Sequence, residues 1–251
     1  MIDVVAGYAR GYNAEQIRPF LKSLRGTGYQ GKILLFANGE AEEEAKKWEV
    51  DLHPCPKPGM KVHSARFLCL EEALKSIPFK GAFLSDTRDV IFQKNPAEFL
   101  PSKGLNVYEE DQCMSLGTCP YNSLWIKLGY GETTLDMLKD NFISCVGTFC
   151  GDRESILNYL DKLVTEIKKI QPRTNEPQDQ GAHNYLIRGQ VKSHVWNNEE
   201  GEVYTVGYIK PFGVVKVEDG KVINLSKDVP AVIHQWDRHP NLVSLVEERY
   251  M

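Results

Sequence analysis

Two rhythms of apolar residues run through roughly the first 100 positions. Short apolar runs at 2–6, 32–36 and 81–84, with a lesser one at 50–53, have the length and composition of buried strands. Between them, residues 14–24, 40–48 and 62–77 read as helices, the last with Phe67, Leu70, Leu74 and Ile77 near helical spacing. Strand–helix alternation of this kind predicts an α/β fold with a mostly parallel sheet covered on both faces. Ligands in such sheets sit beyond the carboxyl ends of the strands, which selects 7–12 after the first strand and 85–89 after the fourth.

From about 92 to 151 the apolar runs shorten and Gly and Pro are more frequent, with one predicted helix at 133–141. The stretch 154–170 is strongly amphipathic, with Ile156, Leu160, Leu163, Val164 and Ile167 on one side. A polar loop at 171–176 follows, and Pro177 opens a further helix that stops at Gly189. Short strands are predicted at 203–206, 213–217, 221–224 and 231–234, then a short C-terminal helix. No repeat or linker divides the chain, so residues 1–251 are expected to form a single domain.

Composition removes several function classes. A formal net charge of -4, with no Lys/Arg block longer than a pair, argues against nucleic acid as a partner. The acidic run Glu42-Glu43-Glu44 reads as a solvated helix face. No apolar run reaches the ~20 residues that a transmembrane helix needs, and no signal-like segment opens the chain. Six cysteines without a CxxC pair read as reduced thiols, so a cytoplasmic protein is expected. Gly26-Thr27-Gly28-Tyr29-Gln30-Gly31-Lys32 mimics the spacing of a phosphate-binding loop. It lies after a helix, before a strand, and is followed by Ile33, so it reads as a turn.

The segment with most chemical content is Phe83-Leu84-Ser85-Asp86-Thr87-Arg88-Asp89-Val90-Ile91-Phe92. An apolar strand runs into two carboxylates three positions apart. Residues three apart on a strand face opposite sides, so both reach one ion only where the strand ends near Ser85 and the chain turns. Hard cations such as Mg²⁺ or Mn²⁺ take oxygen ligands, commonly one or two carboxylates plus substrate phosphates. On spacing alone, an Asp–Arg surface turn capped by Asp86 is the simpler description.

This run resembles the DxD region of GT-A glycosyltransferases, with one residue more than a strict DxD. Three later segments resemble parts of the same architecture in the same order. They are Ile143-Ser144-Cys145-Val146-Gly147, Asp179-Gln180-Gly181-Ala182-His183-Asn184-Tyr185-Leu186, and Val232-Ile233-His234-Gln235-Trp236-Asp237-Arg238-His239-Pro240. The second resembles the helix start of the retaining families related to glycogenin and bacterial lipopolysaccharide galactosyltransferases. In the third, the Gly and Lys-Pro-Trp that commonly follow the histidine in those families are missing.

The resemblance implies a GT-A-like, Rossmann-like domain, with donor binding at about 1–100 and acceptor binding at about 101–251. It implies a nucleotide-diphosphate-sugar donor, a glycan or other hydroxyl acceptor, and a metal, Mn²⁺ or Mg²⁺. Asp86, Asp89 and His234 are then the metal ligands, and Asp179 and Gln180 stand near the reacting sugar. Ala6, Tyr8, Arg10 and Tyr12 become nucleotide contacts, together with Arg66, Asp86, Trp236 and Arg238. Each has a structural counterpart: Asp179 suits helix capping, His234 a core histidine, Arg66 a solvated arginine, and the tyrosines packing on helices. A sugar-nucleotide nucleotidyltransferase and a non-catalytic sugar- or nucleotide-binding module are the alternatives. The first normally carries a Gly-rich basic loop after its first strand, where this chain has only Gly7, Arg10 and Gly11.

Overall fold

A computed structural model describes residues 1–55, 61–174, 176–211 and 213–251. The elements in chain order are β1 (Val4–Ala9), α1 (Ala14–Gly26), β2 (Lys32–Ala37), α2 (Glu40–Ala45), β3 (Asp51–Pro54), α3 (Val62–Ser76) and β4 (Gly81–Ser85). Next come β5 (Val90–Phe92), α4 (Pro96–Phe99), β6 (Leu105–Glu109), α5 (Pro120–Tyr130), α6 (Glu132–Leu138), β7 (Ser144–Asp152), α7 (Arg153–Ile170) and α8 (Asp179–Ile187). The chain ends with β8 (Ser193–Trp196), β9 (Val203–Thr205), β10 (Val217–Glu218), β11 (Lys221–Val222), β12 (Val232–His234) and α9 (Pro240–Tyr250).

Seven strands form the central sheet in the order β3-β2-β1-β4-β7-β6-β8. Only β7 is reversed, running antiparallel to β4 on one side and β6 on the other. Helices cover both faces, which is why the central strands read as unbroken apolar runs. Along β1, Val4, Ala6 and Tyr8 join the core beneath α3 and α7, while Val5 and Ala9 join the core beneath α1. Each large side chain so buried, Phe20 or Phe83 for instance, contributes about 1.5–3 kcal/mol. A second sheet of three strands, β5-β12-β9, sits at the carboxyl end of β4.

The middle of the chain departs most from its sequence pattern. Besides a helix near 133–141, which is α6, it holds α5 and the two strands β6 and β7. Two glycines interrupt the apolar pattern of β7, and Pro120 at the start of α5 reads as a break although it suits the first helical turn. The predicted strand at 213–217 contributes only Val217, with Glu218, to the hairpin of β10 and β11, and position 212 lies outside the described residues. The helix opened by Pro177 is α8, which starts at Asp179 and ends at Ile187.

The acidic run on α2 is not wholly solvated. Glu43 is exposed and Glu42 part-exposed, but Glu44 is buried. Both its oxygens accept from Arg18, at 3.1 and 3.2 Å, and one also from Lys47 at 2.8 Å. These partners, Arg18 foremost, hold the carboxyl down at about 2. No helix among the described residues is long and apolar enough to cross a membrane.

Candidate metal centre and cavity

Strand β4 stops at Ser85, and the four-residue turn Asp86-Thr87-Arg88-Asp89 carries the chain from the central sheet into β5. The turn is seated on β1: Thr87 Oγ1 donates to the Tyr8 carbonyl at 3.2 Å, and its methyl group occupies the space where a Cβ on residue 7 would lie. Gly7 is therefore required by close approach rather than by an unusual backbone angle. Register explains how His234, far along the chain, arrives here. It pairs with Val90, directly after Asp89, and the Gln235 N–H donates to the Asp89 carbonyl at 2.7 Å.

His234 is wholly buried, and its Nε2 has no hydrogen-bond partner among the described residues. That nitrogen faces Asp86 Oδ2 at 3.6 Å and Asp89 Oδ1 at 3.9 Å. One ligand atom from each of the three residues lies within 4.8 Å of the others. A cation about 2.1 Å from each ligand holds adjacent octahedral ligands about 3 Å apart and opposite ones about 4.2 Å apart. The three atoms sit at that scale. Gly147 forms the cradle: a Cβ there would lie 2.5 Å from Asp86 Oδ2 and 2.7 Å from His234 Cε1. An orphaned buried nitrogen, two carboxylates and a clear space between them fit a divalent ion.

The electrostatics point the same way. Burial alone would favour a neutral Asp86, but Arg66 and His234 outweigh it and hold its pKa down at about 2. Burial, with Asp86 as a neighbouring like charge, raises Asp89. Burial opposes a charged His234, yet Cys145, Asp86 and Asp89 beside it push its pKa well up. One buried and one part-exposed carboxylate beside the same imidazole thus concentrate negative charge where a cation would sit.

The acid turn opens onto a cavity of about 480 Å³, lined among others by Tyr12, Arg66, Asp86, Asp89, Asp179, Gln180 and Arg238. Tyr12 is delivered by the turn before α1, where Asn13 and Gln16 form a reciprocal cap at 2.9 and 3.0 Å. Arg66, on α3, bonds Asp86 and also donates to Asp179 Oδ2 at 3.1 Å. It is therefore neither solvated nor free, but ties the acid turn to the start of α8. Gln180 accepts from the Val146 N–H at 2.8 Å and so supports β7 where its register against β6 shifts.

Four predicted contacts lie elsewhere. Ala6 is enclosed mid-strand in the core, where both neighbouring strands cover it, and it lines no part of the cavity. Tyr8 is buried against Phe36, ring centres 5.9 Å apart, behind the acid turn. Arg10 is part-exposed, outside the lining of the cavity. Trp236 packs in the apolar cluster of β12 and α9, because the short helical turn that follows Gln235 points its indole inward. The cavity also gathers residues that sequence reasoning passed over: Arg88, Glu110, Asn122, Trp125, Tyr208 and Gln235. Glu110 had a legible signal, since it follows an apolar strand as Asp86 does. The others come from loops and from α5, where pattern says nothing about a cavity.

Comparison of the chain with protein-family models and with curated proteins gives no match.

Proposed function

We propose that the protein is a metal-dependent glycosyltransferase that moves a sugar from a nucleotide-diphosphate sugar to a hydroxyl acceptor. The observation that carries this reading is the convergence of Asp86, Asp89 and the unpartnered His234 nitrogen at the carboxyl end of a parallel strand, on the edge of a ligand-sized cavity. A divalent ion held there would neutralise diphosphate charge and act as a Lewis acid on the leaving group. One imidazole beside two carboxylates favours Mn²⁺ over Mg²⁺, because nitrogen ligands suit transition metals.

The remaining roles follow from position. Arg88 and Arg238 line the cavity with planar guanidinium groups suited to phosphate oxygens. Arg238 is steadied by the Tyr208 ring, 5.3 Å from its guanidinium carbon. Tyr12 offers a ring on which a base can stack. Asp179, fixed by Arg66, faces the sugar, where a carboxylate positions a hydroxyl or stabilises an oxocarbenium-like centre. Retention of configuration remains an inference from the family resemblance. All six cysteines are unbridged, which fits a reducing compartment such as the cytoplasm.

The test is incubation with a panel of nucleotide-sugars and Mn²⁺. Release of nucleoside diphosphate that stops in EDTA supports the reading. Consumption of pyrophosphate would mean a nucleotidyltransferase instead, and binding without turnover a non-catalytic module.

A further inference from the structure

The cavity has a second polar wall that the metal centre does not use. Glu110 directly follows β6, anchored by its N–H to the Ile143 carbonyl at 2.8 Å. Its carboxylate is buried, and Oε1 accepts from Gln180 Nε2 at 3.3 Å. Oε2 has no hydrogen-bond partner among the described residues by distance and angle, although the Cys145 thiol is near enough to favour the ionised carboxyl. Asn122, on α5, is also buried; its amide nitrogen donates to Cys119 Sγ at 3.3 Å, and Oδ1 has no partner among the described residues. Trp125 lies one turn further on, and its indole N–H has no partner among the described residues. All three residues line the cavity.

Buried polar atoms without partners carry a desolvation cost that a bound ligand removes. Two acceptors and one indole donor on one wall match a ligand rich in hydroxyl groups. Burial raises the Glu110 pKa; while ionised, its carboxylate adds a sign to that match, because a ligand anion would meet a buried like charge.

We infer that Glu110, Asn122 and Trp125 form a subsite for a neutral pyranose ring, with Glu110 selecting against rings that carry a carboxylate. The inference rests on the sugar-transfer reading, and it adds which sugars the cavity accepts and which residues choose them.

Saturation-transfer NMR with methyl glucoside, galactoside, mannoside and glucuronoside, without nucleotide or metal, tests it. At least one neutral glycoside should bind, about tenfold or more tighter than the glucuronoside. Glu110→Gln should weaken the neutral glycoside by about tenfold and narrow the gap to the glucuronoside, because the charge-assisted bond and the repulsion vanish together. Trp125→Phe, which keeps an aromatic ring but loses the pyrrole portion with its N–H, should weaken binding in a chain whose thermal melt is unchanged. Displacement of the glycoside by a nucleotide-sugar but not by the nucleoside diphosphate would place the subsite on the donor sugar; retention beside the nucleotide-sugar would place it on the acceptor. No neutral glycoside binding, or equal binding in wild type and both variants, overturns the inference. Failure of Mn²⁺ to bind would remove the metal reading and leave this result standing.

Discussion

Two of the wholly buried histidines, His183 on α8 and His234 at the end of β12, have opposite characters. His183 has both ring nitrogens engaged: Nδ1 with Tyr159 Oη at 2.5 Å and Nε2 with Ser144 Oγ at 2.9 Å. Burial first, then Arg188 and Arg66, lower its pKa to about 3, so it stays neutral and structural. His234 makes one long contact, from Nδ1 to Thr205 Oγ1 at 3.4 Å, and aims Nε2 between two carboxylates. Burial does not distinguish the two. Satisfaction of the ring nitrogens does, because an orphaned buried polar atom persists only where something else compensates for it.

The largest expected effect comes from filling the space beside His234. Gly147→Ala places a methyl group against Asp86 and buried His234, so Mn²⁺ affinity should fall by about 100-fold or more, with about 1–3 kcal/mol of stability lost to overpacking. Unchanged affinity, read by calorimetry, would mean that the ion sits elsewhere. On the other side of the comparison, His183→Ala leaves Tyr159 and Ser144 without partners and opens a cavity. A loss of about 3 kcal/mol or more in urea unfolding is expected, with Mn²⁺ affinity retained. A loss below about 1 kcal/mol would show that His183 is not the structural member of the pair.

Smaller effects should appear with pH. His183 has a folded pKa of about 3 against an unfolded value near 6.5, so the unfolded chain takes up the proton first as pH falls. Its contribution is complete above about pH 6.5 and is lost between there and about 3, by at most ~1.4 kcal/mol per pH unit. Glu44, held at about 2, adds a loss of the same sign as pH falls from about 4.5 through 2. The difference in unfolding free energy between wild type and His183→Ala at pH 7, 6 and 5 checks the first part, because His234 titrates with the opposite sign; a flat difference would contradict the assignment. Least of all, Arg88→Ala should cost under about 1 kcal/mol, since its 2.9 Å pair with Asp237 is part-exposed. A larger loss would mean that this pair holds the C-terminal segment on the acid turn.

Local pattern explains what was legible. The strands β1, β2 and β4 announced themselves because both faces are buried, and the acid turn was visible because an apolar run ended in two aspartates. His234, Asp179 and Gln180 were named by resemblance, and Tyr12, Arg66 and Arg238 by position and side-chain chemistry; all line the cavity or, for His234, face Asp86 at its edge. Strand β7, by contrast, is built from Ser, Cys, Gly and Thr as much as from large apolar residues, and its outline is set by neighbours on both sides. Ala6 and Trp236 misled because the residues around them are near the site while their own side chains face the core. Glu110 and Asn122 were missed because a buried unpartnered atom is a tertiary property.

The central claim is that Asp86, Asp89 and His234 hold one divalent ion. Electron paramagnetic resonance of free Mn²⁺, titrated against wild-type protein and against His234→Ala, measures it directly. One Mn²⁺ should bind per wild-type chain, with affinity weakened by about 100-fold or more in the variant. No bound Mn²⁺ at about 1 mM, or the same affinity in both proteins, would contradict the account.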